Sequence, residues 1–223
     1  MEATGKRILP LVAVALLCCA VMTLVDGVIR PGYAVKSAIK VALFLLLPLL
    51  LSRFDGELEL RALFRFRRRG FGMALGLGLL VYAVILGAYF LLRQVFDFAP
   101  IAALLSENAG VDRGNFLFVS LYISFVNSLL EEFFFRGFLF LNLRRRTNRA
   151  FAYLFSAALF AAYHVAMMTG WFSPLLFALA MVGLTAGGMM FNVLNERQGT
   201  VYNSWLVHMF ANFAINTVGF ILL

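Results

Sequence analysis

Seven stretches of this chain run for close to the ~20 residues that cross a hydrocarbon core with few or no charges. They are Ile8 to Val25, Ser37 to Ser52, Phe71 to Leu92, Asn115 to Leu143, Arg149 to Met168, Pro174 to Leu194 and Thr200 to Leu222. Lipid offers no hydrogen bonds to a bare backbone, so each crossing segment must be a helix or part of a closed barrel. Continuous apolar runs of this length, without in-and-out alternation, select the helix. The expected fold is therefore all-α, a polytopic membrane helical bundle of about seven transmembrane helices forming one integral membrane domain over residues 1–223. The composition agrees, with 63% hydrophobic and 13% charged residues against about 25% charged in soluble domains.

Two details at the N-terminal end bear on the count. Lys6 and Arg7 before the first run mimic a secretory signal, but the run is long for an h-region and lacks a clear small-residue cleavage site, so it is taken as a retained span. The second run is the shortest and carries Lys40 near its start, from where the side chain is expected to snorkel to the interface. Cys18 and Cys19 are adjacent and give no disulfide framework.

The formal charge of +8 invites a nucleic-acid reading, but the basic residues sit in short clusters between the runs, where the positive-inside rule accounts for them. An inside N-terminus puts Lys6, Arg7, Arg53, Arg61, Arg65, Arg67 to Arg69, Arg144 to Arg146, Arg149 and Arg197 on one side. Only Arg30, Lys36, Arg93 and Arg113 fall on the other. Nucleic acid is accordingly excluded as a partner, and the lipid bilayer is the expected one. With short loops and this bias, a bacterial inner membrane with a cytoplasmic N-terminus is the expected location. Glu57 to Arg69 interleaves Leu58, Leu60, Leu63, Phe64 and Phe66 with arginines, the pattern of a basic amphipathic segment, either a helix lying on the interface or an ordinary basic cytoplasmic loop. Gly72 with Gly76, and Gly183 with Gly187, have the small-xxx-small spacing of close helix packing. The longest outer connection, Ala99 to Gly114, is placed to cover an opening, although no residue in it specifies that role.

Against this background the polar residues inside the fourth, fifth and seventh runs stand out, because ionisable groups at membrane depth are costly and usually functional. In the fourth run Ser120, Ser124, Asn127 or Ser128, and Glu131 share one helical face. Glu132 precedes Arg136 by four, the favourable order for an ion pair along a helix, which is a sufficient structural reason for both. Glu131 sits about 100° around the helix from Glu132, so one arginine does not serve both carboxylates. Burial and a neighbouring like charge are what tune a carboxylate for general-base work near neutral pH. The only two histidines of the chain are His164 in the fifth run and His208 in the seventh, the latter within Ser204, His208, Asn212 and Asn216 at strict i, i+4 spacing. At a rise of ~1.5 Å per residue, Glu131 and His164 lie ~20 Å and ~22 Å from the same basic turn, and His208 with Asn212 falls near mid-membrane. Glu, two His and Asn converging at one depth are the groups that water activation and oxyanion stabilisation need.

Glu131-Glu132-x-x-x-Arg136, Phe160-x-x-x-His164 and His208-x-x-x-Asn212, in this order on a polytopic chain, resemble the type II CAAX prenyl endopeptidase family, also called the CPBP or Abi family of glutamate-dependent intramembrane proteases. The motif-bearing core runs over about 115–222. The resemblance implies water-mediated peptide hydrolysis within the bilayer. Glu131 would be the base, His164 would hold the water, and His208 with Asn212 would stabilise the oxyanion, with Glu132 and Arg136 buttressing the site. The His-Glu-x-x-His signature of a zinc helix is missing, so neither a metal nor a cofactor is expected. The partner implied is a membrane protein or peptide substrate, including a C-terminal sorting tail, in protein sorting or maturation. A non-catalytic bacteriocin-immunity or peptide-binding protein is the alternative. A proton-coupled transporter is disfavoured by the lack of an inverted repeat or paired broken helices. Oligomeric state is open.

Overall fold

A computed structural model describes residues 8–58, 60–98, 113–170 and 172–222. Seven helices among them are long and apolar enough to cross a membrane: α1 (Ile8–Ile29), α2 (Tyr33–Leu51), α3 (Phe71–Leu92), α4 (Phe116–Arg146), α5 (Arg149–Met168), α6 (Pro174–Gln198) and α7 (Tyr202–Leu222). The chain is an integral membrane helical protein, as the apolar runs predict, with ends within a few residues of the expected ones, α1, α2, α4 and α6 extending three or four residues further at one end. The connection from Ala99 lies outside the described residues up to position 112, and the role expected of it goes with them.

Local chemistry sets several of the ends. Asn148 accepts a hydrogen bond from the Phe151 amide at 2.8 Å and starts α5, satisfying one of the free amides of a helix N-terminus. Ser173 followed by Pro174 does the same for α6, with proline at a position where no amide is missed. Gly199 ends α6 at φ 65°, its amide reaching the Asn195 carbonyl, a left-handed C-cap that glycine adopts without strain.

α4 is the central element. Every residue from Glu131 to Phe140 is buried, and α4 packs against α1, α2, α5, α6 and α7. Only a helix enclosed on all sides can be buried without a free face. Its phenylalanines fill the space between neighbours: Phe134 stacks on Phe44 of α2 at 4.1 Å, Phe135 meets Phe160 of α5 edge-on at 5.3 Å, and Phe140 meets Tyr153 at 4.8 Å. Two stretches of α4, Ile123–Asn127 and Glu132–Phe140, are wound as π-helix, a rare local form that recurs at functional sites. α7 hydrogen-bonds to carbonyls along the first of these and the turn before it. Trp205 Nε1 donates to Phe125 at 3.0 Å, Asn212 Nδ2 to Ile123 at 3.2 Å and Asn216 Nδ2 to Ser120 at 3.2 Å.

Two expectations are corrected. The described residues of the segment from Glu57 to Arg69 do not form a surface-lying α-helix; they contain one short 3-10 turn, Leu60–Phe64. Leu60 and Leu63 are buried, Phe64 stacks on Phe133 at 5.4 Å, and the Leu63 carbonyl accepts from the Val201 amide. The arginines still face outward. Alternation of large apolar and basic residues suits an interfacial helix, but anchoring Leu63 against Gly137 of α4 requires a tighter path.

The close helix contacts also fall elsewhere than at the spaced glycines. A Cβ on Gly72, Gly76, Gly183 or Gly187 would meet nothing within 4 Å. Crowded positions within the helices include Gly219, where a Cβ would collide with Phe116, Gly78, where it would lie 2.5 Å from Phe210, and Gly188, where it would lie 3.1 Å from the Ala157 backbone and 3.3 Å from Arg136 Nη2. Gly188→Val is therefore expected to destabilise the bundle by about 1–3 kcal/mol through overpacking, and Gly183→Val by less than about 0.5 kcal/mol. Unfolding in a graded detergent series, read by tryptophan fluorescence, separates the two.

Candidate active site

The polar face of α4 and the polar stripe of α7 come together at mid-helix. His208 is the bridge: its Nδ1 lies 3.0 Å from Glu132 Oε1, and its Nε2 lies 3.6 Å from Glu131 Oε2. Because Nδ1 meets a carboxylate oxygen, it carries the hydrogen of that bond, and Nε2 is the nitrogen left facing Glu131. The imidazole is held flat against Phe191 of α6, with ring centroids 5.1 Å apart and 19° between planes.

Glu132 and Arg136 are both fully buried. Their charged ends approach to 3.6 Å at Oε1 and Nη1, so the i, i+4 ion pair is present. The guanidinium is also sandwiched between aromatic faces, 4.0 Å from the Phe160 centroid and 5.0 Å from that of Phe191. Planar and weakly hydrated, it suits such a slot better than an ammonium would.

His164 stands beside this group on α5. Its Nδ1 donates to the Phe160 carbonyl at 2.7 Å, the hydrogen being assigned there because a carbonyl can only accept. The outer nitrogen, Nε2, is consequently an acceptor in the neutral ring. Phe160 touches both histidine rings edge-on, His164 at 4.7 Å and His208 at 5.9 Å between centroids. Phe160 thus fixes their relative placement as well as the arginine. Asn212 is more peripheral. One hydrogen of its amide goes to the Ile123 carbonyl, and the other remains to donate.

The residue that the sequence did not point to is Lys40. Its side chain does not snorkel; the residue is 5% exposed and its Nζ lies 2.5 Å from Glu131 Oε1. Asn127 joins them, receiving a hydrogen bond from Lys40 through Oδ1 and donating from Nδ2 to the same Glu131 oxygen at 3.0 Å. The buried centre therefore holds two carboxylates, the Lys40 ammonium, the Arg136 guanidinium and the His208 ring. The expectation that Glu131 lacks a counter-charge is corrected: α2 supplies it. A second pair, Asp26 with Lys36, joins α1 to α2 one helical turn away from Lys40. A lysine four residues after another lysine in an apolar run was the available signal, since one face carrying both is a poor lipid face.

The centre is closed. Glu131, Glu132, Arg136 and His208 are 3%, 0%, 0% and 6% exposed. A surface groove of about 550 Å³ on the far part of α2, lined by Ala42, Leu46, Leu47, Leu49, Leu50 and Arg53, does not reach these groups. Admission of a peptide to them requires displacement of surrounding side chains or of a helix.

Comparison with known proteins adds one positive finding. Residues 113–214 match the family model described as Rce1-like, type II CAAX prenyl endopeptidase Rce1-like. No match was found among curated proteins or among solved structures. The matched stretch contains α4 to most of α7 and every residue named for the buried centre except Lys40.

Proposed function

We propose that this chain, whose residues 113–214 match the Rce1-like model of type II CAAX prenyl endopeptidases, is an intramembrane endopeptidase that uses Glu131 as its base. The observation that carries the reading is the meeting of Glu131 and Glu132 with His208 across α4 and α7, at 3.6 Å and 3.0 Å, with His164 alongside. Two accepting groups, Glu131 Oε2 and His164 Nε2, suit a water that must give up its hydrogens and turn a lone pair to a carbonyl carbon.

In the proposed reaction, water adds to the scissile carbonyl as its proton passes to Glu131. The carbonyl π pair moves to oxygen, and the resulting oxyanion is met by His208 Nε2–H, with the ring carrying both protons, and by the second hydrogen of Asn212. Collapse of the tetrahedral carbon breaks the C–N bond, and Glu131 returns its proton to the leaving amine. Glu132 and Arg136 contribute by position: Glu132 holds the His208 ring through Nδ1, and Arg136 neutralises Glu132. Enclosure of the site keeps these charges out of bulk water, and in the less polar interior they act more strongly.

The substrate proposed is a membrane-associated protein or peptide cut near a C-terminal tail. The location proposed is a bacterial inner membrane with the N-terminus cytoplasmic, a reading supported by the basic clusters at Arg53, Arg61 to Arg69 and Arg144 to Arg149 at that end of the bundle. Mapping of protein C-termini in membranes from cells with the wild-type chain and with none tests the reading. New C-termini that appear only with the chain are expected, and identical maps would overturn it.

A further inference from the structure

We propose that Lys40 is a positioning residue of this same centre, which anchors one oxygen of Glu131 and leaves the other to take the proton; the inference rests on Glu131 being the base. The two oxygens of Glu131 are in different situations. Oε1 receives Lys40 Nζ at 2.5 Å and Asn127 Nδ2 at 3.0 Å. Oε2 has neither, and faces His208 Nε2 at 3.6 Å, too far for a hydrogen bond but close enough for both to touch one small molecule. Oε1 is the fixed end of the carboxylate, and Oε2 is the working end.

Lys40 is itself held. The ammonium lies 5.0 Å from the Tyr163 ring centroid and 5.5 Å from that of Phe44, and Phe44 is locked by its stack on Phe134. An aromatic shelf of this kind attracts a cation while denying it water. A plain structural pair accounts poorly for the arrangement, because a buried ion pair brings little net stability over apolar residues of similar volume. The arrangement does have a use during reaction. When the O–H bond of water breaks and its proton settles on Oε2, Glu131 becomes neutral while one negative charge appears on the substrate oxygen. The total charge is unchanged, and Lys40 is left as an uncompensated cation beside the new anion, a fixed charge that needs no reorganisation. Lys40 lies outside residues 113–214, so α2, which carries none of the three motifs, completes the centre.

Two measurements on wild-type protein, Lys40→Met, Lys40→Arg and Glu131→Gln in native membranes test this. The first is labelling with dicyclohexylcarbodiimide, which reacts with protonated carboxyl groups in apolar surroundings, followed by mass spectrometry of the Glu131 peptide. Wild-type and Lys40→Arg are expected to label weakly and Lys40→Met several-fold more. The second is cleavage of a membrane protein found by the C-terminal mapping above. For Lys40→Met, kcat is expected to fall about 10²-fold with KM unchanged, and Lys40→Arg to recover part of it. Unchanged kcat in Lys40→Met, or a fall without any gain in labelling, would overturn the proposal. If Lys40→Met does not accumulate, Lys40→Arg decides it: wild-type labelling with partial kcat supports the anchor, and strong labelling of Glu131 sinks it. A wild-type chain that cuts nothing overturns the protease reading instead, a result the labelling does not depend on.

Discussion

Glu131→Gln is expected to lower cleavage by about 10²- to 10⁴-fold, the usual worth of a general base, while the protein still inserts and accumulates. Glutamine has the shape of glutamate and an oxygen that can accept from Lys40 and Asn127, so the contacts at Oε1 survive. It cannot take a proton at the other end. What the substitution does disturb is charge, because it leaves the Lys40 ammonium buried with no counter-ion, and an uncompensated buried charge is costly. Some loss of resistance to denaturant is therefore expected along with the loss of activity. The double variant Lys40→Met/Glu131→Gln separates the two effects: it should regain resistance and remain inactive. The measurement is rate of substrate loss, by immunoblot, beside the midpoint of unfolding for the wild type and each variant. A double variant that regains cleavage would show that the base lies elsewhere. Full retention of function by Glu131→Gln would favour the peptide-binding alternative over catalysis.

The sequence exposed most of the fold because the bilayer imposes a simple length rule, and seven apolar runs met it. It pointed to the candidate site for a related reason: Glu131, Glu132, Arg136, His164, His208 and Asn212 are conspicuous only because lipid makes them expensive. Lys40 was overlooked on the same logic, since a long flexible cation near the end of a run has an easy escape to the interface. Its inward turn depends on Glu131 and Asn127, 91 and 87 positions away, and no spacing rule carries that information. The glycine and interfacial-helix readings failed for a different reason. Both treat a helix or segment by itself, whereas the crowding at Gly188 comes from α5 and Arg136, and the path of Leu60–Phe64 is set by α4 and the start of α7. The wide turns of α4 were equally hidden, because nothing in Ile123–Asn127 or Glu132–Phe140 distinguishes π from α winding until α7 is laid against carbonyls of the first and Ser156 of α5 against the Phe135 carbonyl of the second.

Arg136→Met is expected to be the most damaging single substitution to the fold, about 3–5 kcal/mol. The side chain is 0% exposed, lies between the faces of Phe160 and Phe191, and is the cation nearest Glu132, which is also 0% exposed. Methionine refills most of the volume and keeps contact with the rings, so the main loss is not packing. It is the carboxylate left behind, with only the His208 hydrogen bond at 3.0 Å to hold its charge. The consequence can be isolated by the partner change: Glu132→Gln/Arg136→Met removes both charges, and its stability should return to within about 1 kcal/mol of wild type, since replacing a buried pair with neutral groups is often near neutral. Unfolding midpoints of the two singles and the double, closed as a cycle, give the coupling directly. A coupling near zero would mean that the 3.6 Å approach of Arg136 to Glu132 is incidental and that the arginine is held by Phe160 and Phe191 alone. Activity should not follow stability in the double variant. Glu132→Gln presents His208 with a neutral amide in place of an anion, so the ring is held less firmly at Nδ1 and meets the oxyanion in a less fixed position.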